Sequence, residues 1–470
     1  MSKVLYKLYK KITIIRLLFR PHIFIKSFFV SKNILNTDND LYIAFRAIES
    51  QLRDSKQLGY YLYHNNQVLK NVDNLRFLLK SFRDNNYFAK NDLNNTDTVK
   101  QICFIGNMGI GNFLHMMPLL KEIKKNYPTA QVIVIFTKKS PLIKLVDTIE
   151  EIDSCLVFNE GFDKENLYCY EFYDFLKFHK ISPQIIFTRF TRNNYAQLLN
   201  LIYPEADRVG HCSSAGFECP LTDITLSHKV DMDIMEHEII RNLNLLQPLK
   251  INFDITNISI PNFQISTQDN YQAEKIMRDN KIYGEKILFF CPGTSIEQTF
   301  KRWNIDNWIN LLILLKDKGY KLVLLGSKDD QNYSKKIISE GMLKDKSFKN
   351  IINLCGETSL NELFSILSYG SLFIGLNSGM THIANILGIK SVSIMLSTDN
   401  PRTNPYYNNR YYHKEIDSNK IAISIIPDCS CWDDKYVTNL DKSVFNKLLN
   451  CSCINKISPS KVNTAIDSII

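Results

Sequence analysis

No apolar run in the sequence approaches the roughly 18 residues that a bilayer-spanning helix needs. The longest, such as Val132–Phe136 and Leu322–Leu325, have the length of buried strands. A secretory leader is also missing, because Arg16 and Arg20 interrupt the N-terminal apolar stretch and no small-residue cleavage site follows. The eleven cysteines, an odd number, therefore read as thiols of a cytoplasmic protein. No G-x-G-x-x-G turn with a following acid opens either half, which disfavours a nucleotide-dependent oxidoreductase. Large charge excess is absent too: 57 basic and 48 acidic residues give +9 over 470 positions. That balance permits a basic patch for phosphate or a membrane surface but makes no case for nucleic acid. Apolar residues at 45% and charged residues at 22% exclude a disordered or fibrous chain. The length suggests about three units of roughly 150 residues.

Acids are missing from the start of the chain, where Asp38 is the first. Before it, Lys3, Lys7, Lys10, Lys11, Arg16, Arg20, Lys26 and Lys32 alternate with Leu5, Leu8, Ile12, Ile15, Phe19 and Ile23 near helical period. Residues 1–35 thus read as a basic amphipathic helix that either lies on an anionic membrane or packs on the body with its lysines in water. The polar stretch to about residue 98 completes an N-terminal helical extension, ending in the Asn/Asp-rich Asn91–Asp97.

From Gln101 short β-rich runs alternate with amphipathic stretches. Strands are expected at Gln101–Ile105, Gln131–Phe136, Gln184–Phe187 and Arg208–Val209, with a helix over Asn112–Asn126. After Pro261 the pattern restarts, with strands at Lys286–Phe290, Lys321–Leu325, Ser371–Ile374 and Ser391–Met395, and helices over Trp303–Lys318, Ser359–Leu367 and Met380–Leu387. Such alternation implies α/β architecture with two Rossmann-like domains facing a cleft, where ligands meet the carboxyl ends of strands. The expected domains are 1–98, 99–262, 263–426 and a Cys-containing segment with a final helix at 427–470.

Four loops fall at that edge. Gly106–Asn112 carries Gly109 and Gly111, whose bare backbone admits a ligand to a helix N-terminus, unless it is only a tight turn. Thr294, Ser295 and Lys301 can cradle a phosphate, or else cap a helix beside a solvated basic pair. Asp330, in Gly326–Asp330, offers a carboxylate to ribose hydroxyls or serves as a plain helix cap. Asn377, Ser378, Gly379, Met380, Thr381 and His382 put polar groups at a helix start after a buried strand, a good phosphate site.

With all four in order, residues of about 100 to 460 resemble glycosyltransferase family 9, the ADP-heptose:lipopolysaccharide heptosyltransferases, of GT-B fold. Gly375–Ala384 with Leu387-Gly388 resembles the donor loop G-N-D-S/T-G-x-x-H-x-A, and Pro292-Gly293 with Lys301-Arg302-Trp303 resembles P-G-x-x…K-x-W. Asn353–Leu360 resembles N-L-x-G-x-T-S-L, and Thr398-Asp399 with Arg402–Tyr406 resembles T-D…R-T-x-P-Y. The resemblance implies inverting, metal-independent transfer of a sugar, ADP-heptose being the first donor to consider, onto a lipopolysaccharide core or other lipid-linked oligosaccharide. It puts Thr294, Ser295 and Lys301 on the diphosphate, Asp330 on the ribose, and Asn377, Ser378, Gly379 and His382 on the diphosphate and sugar. No cofactor and no metal is implied. Arg189 and Arg192, by position in such a fold, are candidates to contact acceptor phosphates.

The chain departs from the family at Gly111-Asn112, where G-D supplies the expected general base. An amide does not accept a proton usefully near neutral pH. Asn112 then orients the acceptor while His115, on the same helix face and matched by a histidine in some heptosyltransferases, takes the proton. Alternatively a departing phosphate oxygen takes it, or the protein binds a nucleotide sugar without turnover. Cys429, Cys431, Cys451 and Cys453 form two C-x-C pairs, open to zinc, a disulfide or free thiols. The last helix, from Pro459, is expected to pack back across the cleft.

Overall fold

A computed structural model describes residues 99–162, 169–188, 194–203, 205–211, 226–231, 236–255, 258, 263–396, 400–403, 422–428 and 452–470. The basic extension 1–98, Arg189, Arg192, Thr398-Asp399, the 404–406 end of the last motif, Cys429, Cys431 and Cys451 lie outside the described residues.

The first lobe runs β1 (Gln101–Ile105), α1 (Ile110–Asn126), β2 (Gln131–Phe136), α2 (Leu142–Val146), β3 (Ser154–Val157), α3 (Cys169–Phe178), β4 (Ile185–Thr188), α4 (Asn194–Ile202), β5 (Asp207–His211), β6 (His228–Val230) and α5 (Glu238–Leu243). The second runs α6 (Thr267–Asp279), β7 (Ile287–Cys291), α7 (Ile305–Leu315), β8 (Lys321–Leu324), α8 (Gln331–Lys344), β9 (Ile352–Asn353), α9 (Leu360–Ser368), β10 (Leu372–Leu376), α10 (Gly379–Ile386), β11 (Ser391–Ile394), α11 (Asn400–Thr403), β12 (Ala422–Ile425) and α12 (Pro459–Asp467).

Both sheets are parallel and share one order, β3-β2-β1-β4-β5-β6 and β9-β8-β7-β10-β11-β12. The chain therefore reverses direction of winding between β1 and β4 and between β7 and β10, which is where such sheets bind ligands. Parallel strands are covered on both faces, hence their continuous apolar runs. Cys103, Ile105, Ile133, Ile135 and Ile186 bury under Phe172, Leu176, Leu198 and Leu199. Leu288, Phe290, Leu324, Ile374 and Val392 bury under Trp308, Leu312, Val462 and Ile466.

The remaining faces join. One buried cluster runs from Ile102, Phe104, Met117 and Leu120 in the first lobe to Met277, Phe289, Phe364 and Ile383 in the second. Phe263 and Phe364 rings lie 4.5 Å apart beside an isolated antiparallel bridge between Ile149 and Phe263. The lobes thus share apolar packing behind the cleft, and the loops at the carboxyl edges meet in a fixed register.

Three expectations change. Trp303 is not helical: Asn304 caps α7 by accepting from the Asn307 amide at 2.7 Å, and Trp303 is buried beside Trp308. Helix α1 begins at Ile110 rather than Asn112, because Gly109 caps it without a side-chain bond and so leaves no Ser or Asp signal. Helix α12 does not cross the cleft. It packs on α7 of its own lobe, fixed by the Trp303 indole donating to the Ile457 carbonyl at 3.0 Å.

Candidate active site

The N-termini of α1 and α10 meet head to head across the lobes, glycine against glycine. A Cβ at Gly111 would come within 2.7 Å of His382 Cδ2, and one at Gly379 within 2.9 Å of Ile110 Cβ. Only hydrogen at both positions allows the contact. Neither helix carries an acid in its first turn. Two positive dipole ends thus converge without an internal counter-charge, an arrangement that favours an anion.

Three imidazoles sit behind this junction. His115 lies with its ring 4.2 Å from His382 and 5.5 Å from His237, all three nearly closed to solvent at 1%, 4% and 1% exposure. His382 lies against both Gly111 and the His115 ring, and His115 is closed to solvent. Asn112 is exposed at the mouth. The Asn242 amide fixes the His115 carbonyl at 3.0 Å. Among the described residues no group of His, Cys, Asp or Glu is arranged to hold a metal ion.

At the start of α10 Asn377 donates to the Thr403 hydroxyl at 3.0 Å, and Thr381 gives its own hydroxyl to the Leu376 carbonyl at 2.6 Å. Thr381 is therefore a structural residue of the turn, and Met380 packs on the shared core. Ser378 makes no cap with its side chain, which lies 4.0 Å from Cys291 Sγ.

The Pro292–Ser295 corner follows β7. Thr294 is buried, with its hydroxyl on the Gln298 carbonyl at 3.0 Å and its own carbonyl accepting from Arg302 at 3.0 Å. Ser295 is exposed and starts a short 3-10 turn that ends at Lys301. Asp330 points inward. Its carboxylate accepts from the Ser327 amide (2.9 Å), the Ser327 hydroxyl (2.7 Å) and Arg302 (3.3 Å). A Cβ at Gly293 would fall 2.0 Å from Asp330 Oδ1, so the carboxylate fills the space that the glycine leaves. Here Asp330 holds the corner in place.

The N-L-x-G-x-T-S-L turn is also architectural. Asn353 accepts from the Cys355 amide at 3.1 Å, Gly356 takes φ +76°, and Ser359 forms a capping box with Glu362 at the start of α9. Burial pushes the Cys291 thiol up, and the Cys355 thiol up to about 12, so neither is a nucleophile near neutral pH. Cys453 is buried, and no helix among the described residues is long and apolar enough to cross a membrane.

Sequence reasoning missed His237, Glu238, Arg241 and Asn242 of α5 and left Arg402 out of the site. The available signal was polar residues at helical spacing in a helix whose six residues are all buried.

Two lobes of identical strand order with glycine corners facing each other define a GT-B architecture. Residues 205–421 match the model of glycosyltransferase family 9 (heptosyltransferase). Lipopolysaccharide heptosyltransferase 3 of Escherichia coli K12 is 25% identical over 349 residues, which is 67% of this chain and 92% of that protein. Lipooligosaccharide heptosyltransferase 2 of Campylobacter jejuni serotype O:6 is 26% identical over 174 residues, spanning 37% of this chain and 51% of the relative. Among solved structures, the family 9 glycosyl transferase of Veillonella parvula superposes with a TM-score of 0.61 at 17% identity, covering 79% of this chain and 97% of that one. The E. coli ADP-heptose lps heptosyltransferase II gives 0.57 at 16% identity, covering 78% and 98%. Residues 205–421 are thus similar to glycosyltransferase family 9, and both lobes share the fold of its solved members.

Proposed function

We propose that the chain is a heptosyltransferase of lipopolysaccharide core assembly, moving heptose from ADP-heptose to a lipopolysaccharide-core or other lipid-linked acceptor, with inversion and without a metal ion. The observation that carries this reading is the pair of acid-free helix starts abutting at Gly111 and Gly379, in a chain whose sequence spans 92% of a relative named lipopolysaccharide heptosyltransferase 3.

The chemistry follows from charge. Glycosyl transfer passes through an oxocarbenium-like state in which negative charge grows on the leaving diphosphate. Amides at the start of α10, with Gly109 and Gly111 opposite, donate to that charge, and Lys301 with Thr294 and Ser295 takes the other phosphate. Preorganised donors of this kind need no reorganisation as the charge develops. Asp330 supports them indirectly, by keeping Gly293 and Arg302 where they are. Asn112 at the mouth orients the acceptor hydroxyl. The proton leaves through the imidazole pair, His382 at the Gly111 edge and His115 behind it. The protein works in the cytoplasm, with residues 1–35 against the inner membrane face and Arg189 and Arg192 toward the acceptor.

The test is ADP release from ADP-heptose with a truncated core acceptor in excess EDTA, followed by anomeric analysis of the product. Inverted product at an undiminished rate is expected. No ADP release with any core acceptor, or release that requires added metal, contradicts the reading.

A further inference from the structure

We infer that Glu238 is a positioning residue that latches the two lobes and, through Arg402 and Thr403, sets the donor corner at Asn377. This rests on the transferase reading above for its role in turnover, but not for its geometry. Glu238 is the first residue of α5, only 4% exposed. Its Oε1 accepts from Arg241 of the same helix at 3.0 Å and from Arg402 of the opposite lobe at 3.2 Å. Thr403, next in sequence to Arg402, accepts from Asn377 at 3.0 Å. Two hydrogen bonds joined by the Arg402–Thr403 peptide link thus run from α5 to Asn377. The same segment also holds α1: His237, the cap of α5, lies against the His115 ring, and Asn242 fixes the His115 carbonyl.

One short helix therefore touches both halves of the proposed site. A buried carboxylate shared by two guanidiniums is costly to disturb, because removing it takes the counter-charge from the buried Arg241 as well as from Arg402. The pairing is satisfied only while the lobes keep this register, so Glu238 ties lobe position to the orientation of Asn377.

The experiment uses the full chain and the variants Glu238→Gln, Arg402→Gln and their double. Each single substitution is expected to raise the KM for ADP-heptose about tenfold with a smaller change in kcat, and the double to be no worse than the weaker single, since the two residues act as one unit. Hydrogen exchange without substrate should quicken about tenfold over 376–383 in each single variant. Multiplying effects in the double variant, or unchanged exchange at 376–383, overturns the latch. Wild-type protein that transfers nothing, with quickened exchange in the variants, sinks the transferase reading and upholds the latch. If Glu238→Gln does not fold, Arg402→Gln, at a side chain 27% exposed, carries the exchange test.

Discussion

Replacing Gly111 by alanine separates what the junction does for folding from what it does for turnover. The residue lies in the first turn of α1, where alanine in place of glycine favours the helix by about 0.5–1 kcal/mol. The new Cβ would sit 2.7 Å from His382 Cδ2, a separation that real contacts do not show, so His382 or the lobe must shift by several tenths of an ångström. Overfilling a packed contact costs about 1–3 kcal/mol. Within the folded ground state the two effects largely offset, and the melting temperature should move by less than about 4 °C. The shift that relieves the clash takes His382 out of register with the diphosphate, and restoring that register for transfer costs about 1–3 kcal/mol, so kcat/KM should drop by about 5- to 150-fold. Calorimetry and steady-state ADP release on the same sample read both numbers. Gly109→Ala is the control for stability, because a Cβ there meets nothing within 4 Å. Wild-type kcat/KM in Gly111→Ala would refute the claim that the helix starts must abut during turnover. A melting temperature lowered by more than about 10 °C would show that the glycine serves folding instead.

Three further outcomes are expected. Lys301→Ala should weaken ADP binding by about 10- to 150-fold in calorimetric titration, the worth of one charge-assisted hydrogen bond; unchanged affinity would remove Lys301 from the site. His115→Gln, which keeps a polar side chain of similar reach, should lower kcat about 100-fold or more while KM stays within about threefold; an undiminished rate dismisses the imidazole pair as proton acceptor. Asp345 is held down to about 2 by hydrogen bonds from the Lys316 ammonium and the Ser347 amide. Its folded value lies below the unfolded one of about 3.9, so its contribution is present above that value and lost as pH falls toward 2. The melting gap between wild type and Asp345→Asn should therefore shrink from pH 5 to pH 3; a constant gap argues against the pairing.

The fold was legible because its strands are buried on both faces. Ile102–Ile105 and Val132–Phe136 are continuous apolar runs with Gly or Pro punctuation nearby, and the structure ends those strands within a residue of the expected bounds. The glycine corners were legible for the same local reason, since a strand running into Gly106–Gly111 or Asn377–Gly379 states where backbone must come close to something. Side-chain direction was not. Asp330 was expected to face a ribose, yet it turns into the gap left by Gly293, a contact between residues 37 positions apart that no spacing rule encodes. His237 and Glu238 were missed because a short, wholly buried helix gives no amphipathic contrast, and their partners, His115 and Arg402, come from distant segments. The final helix went to its own lobe because Trp303 and Ile457 decide its docking, again a long-range pair.

The most direct measurement is a crystal structure of the protein with ADP. The account predicts the diphosphate at the cleft side of the Gly111–Gly379 junction, accepting from amides at the start of α10 and from Lys301, with no metal ion bridging its oxygens. A nucleotide bound away from that junction, or a cation carrying the phosphates in place of those amides, would contradict it.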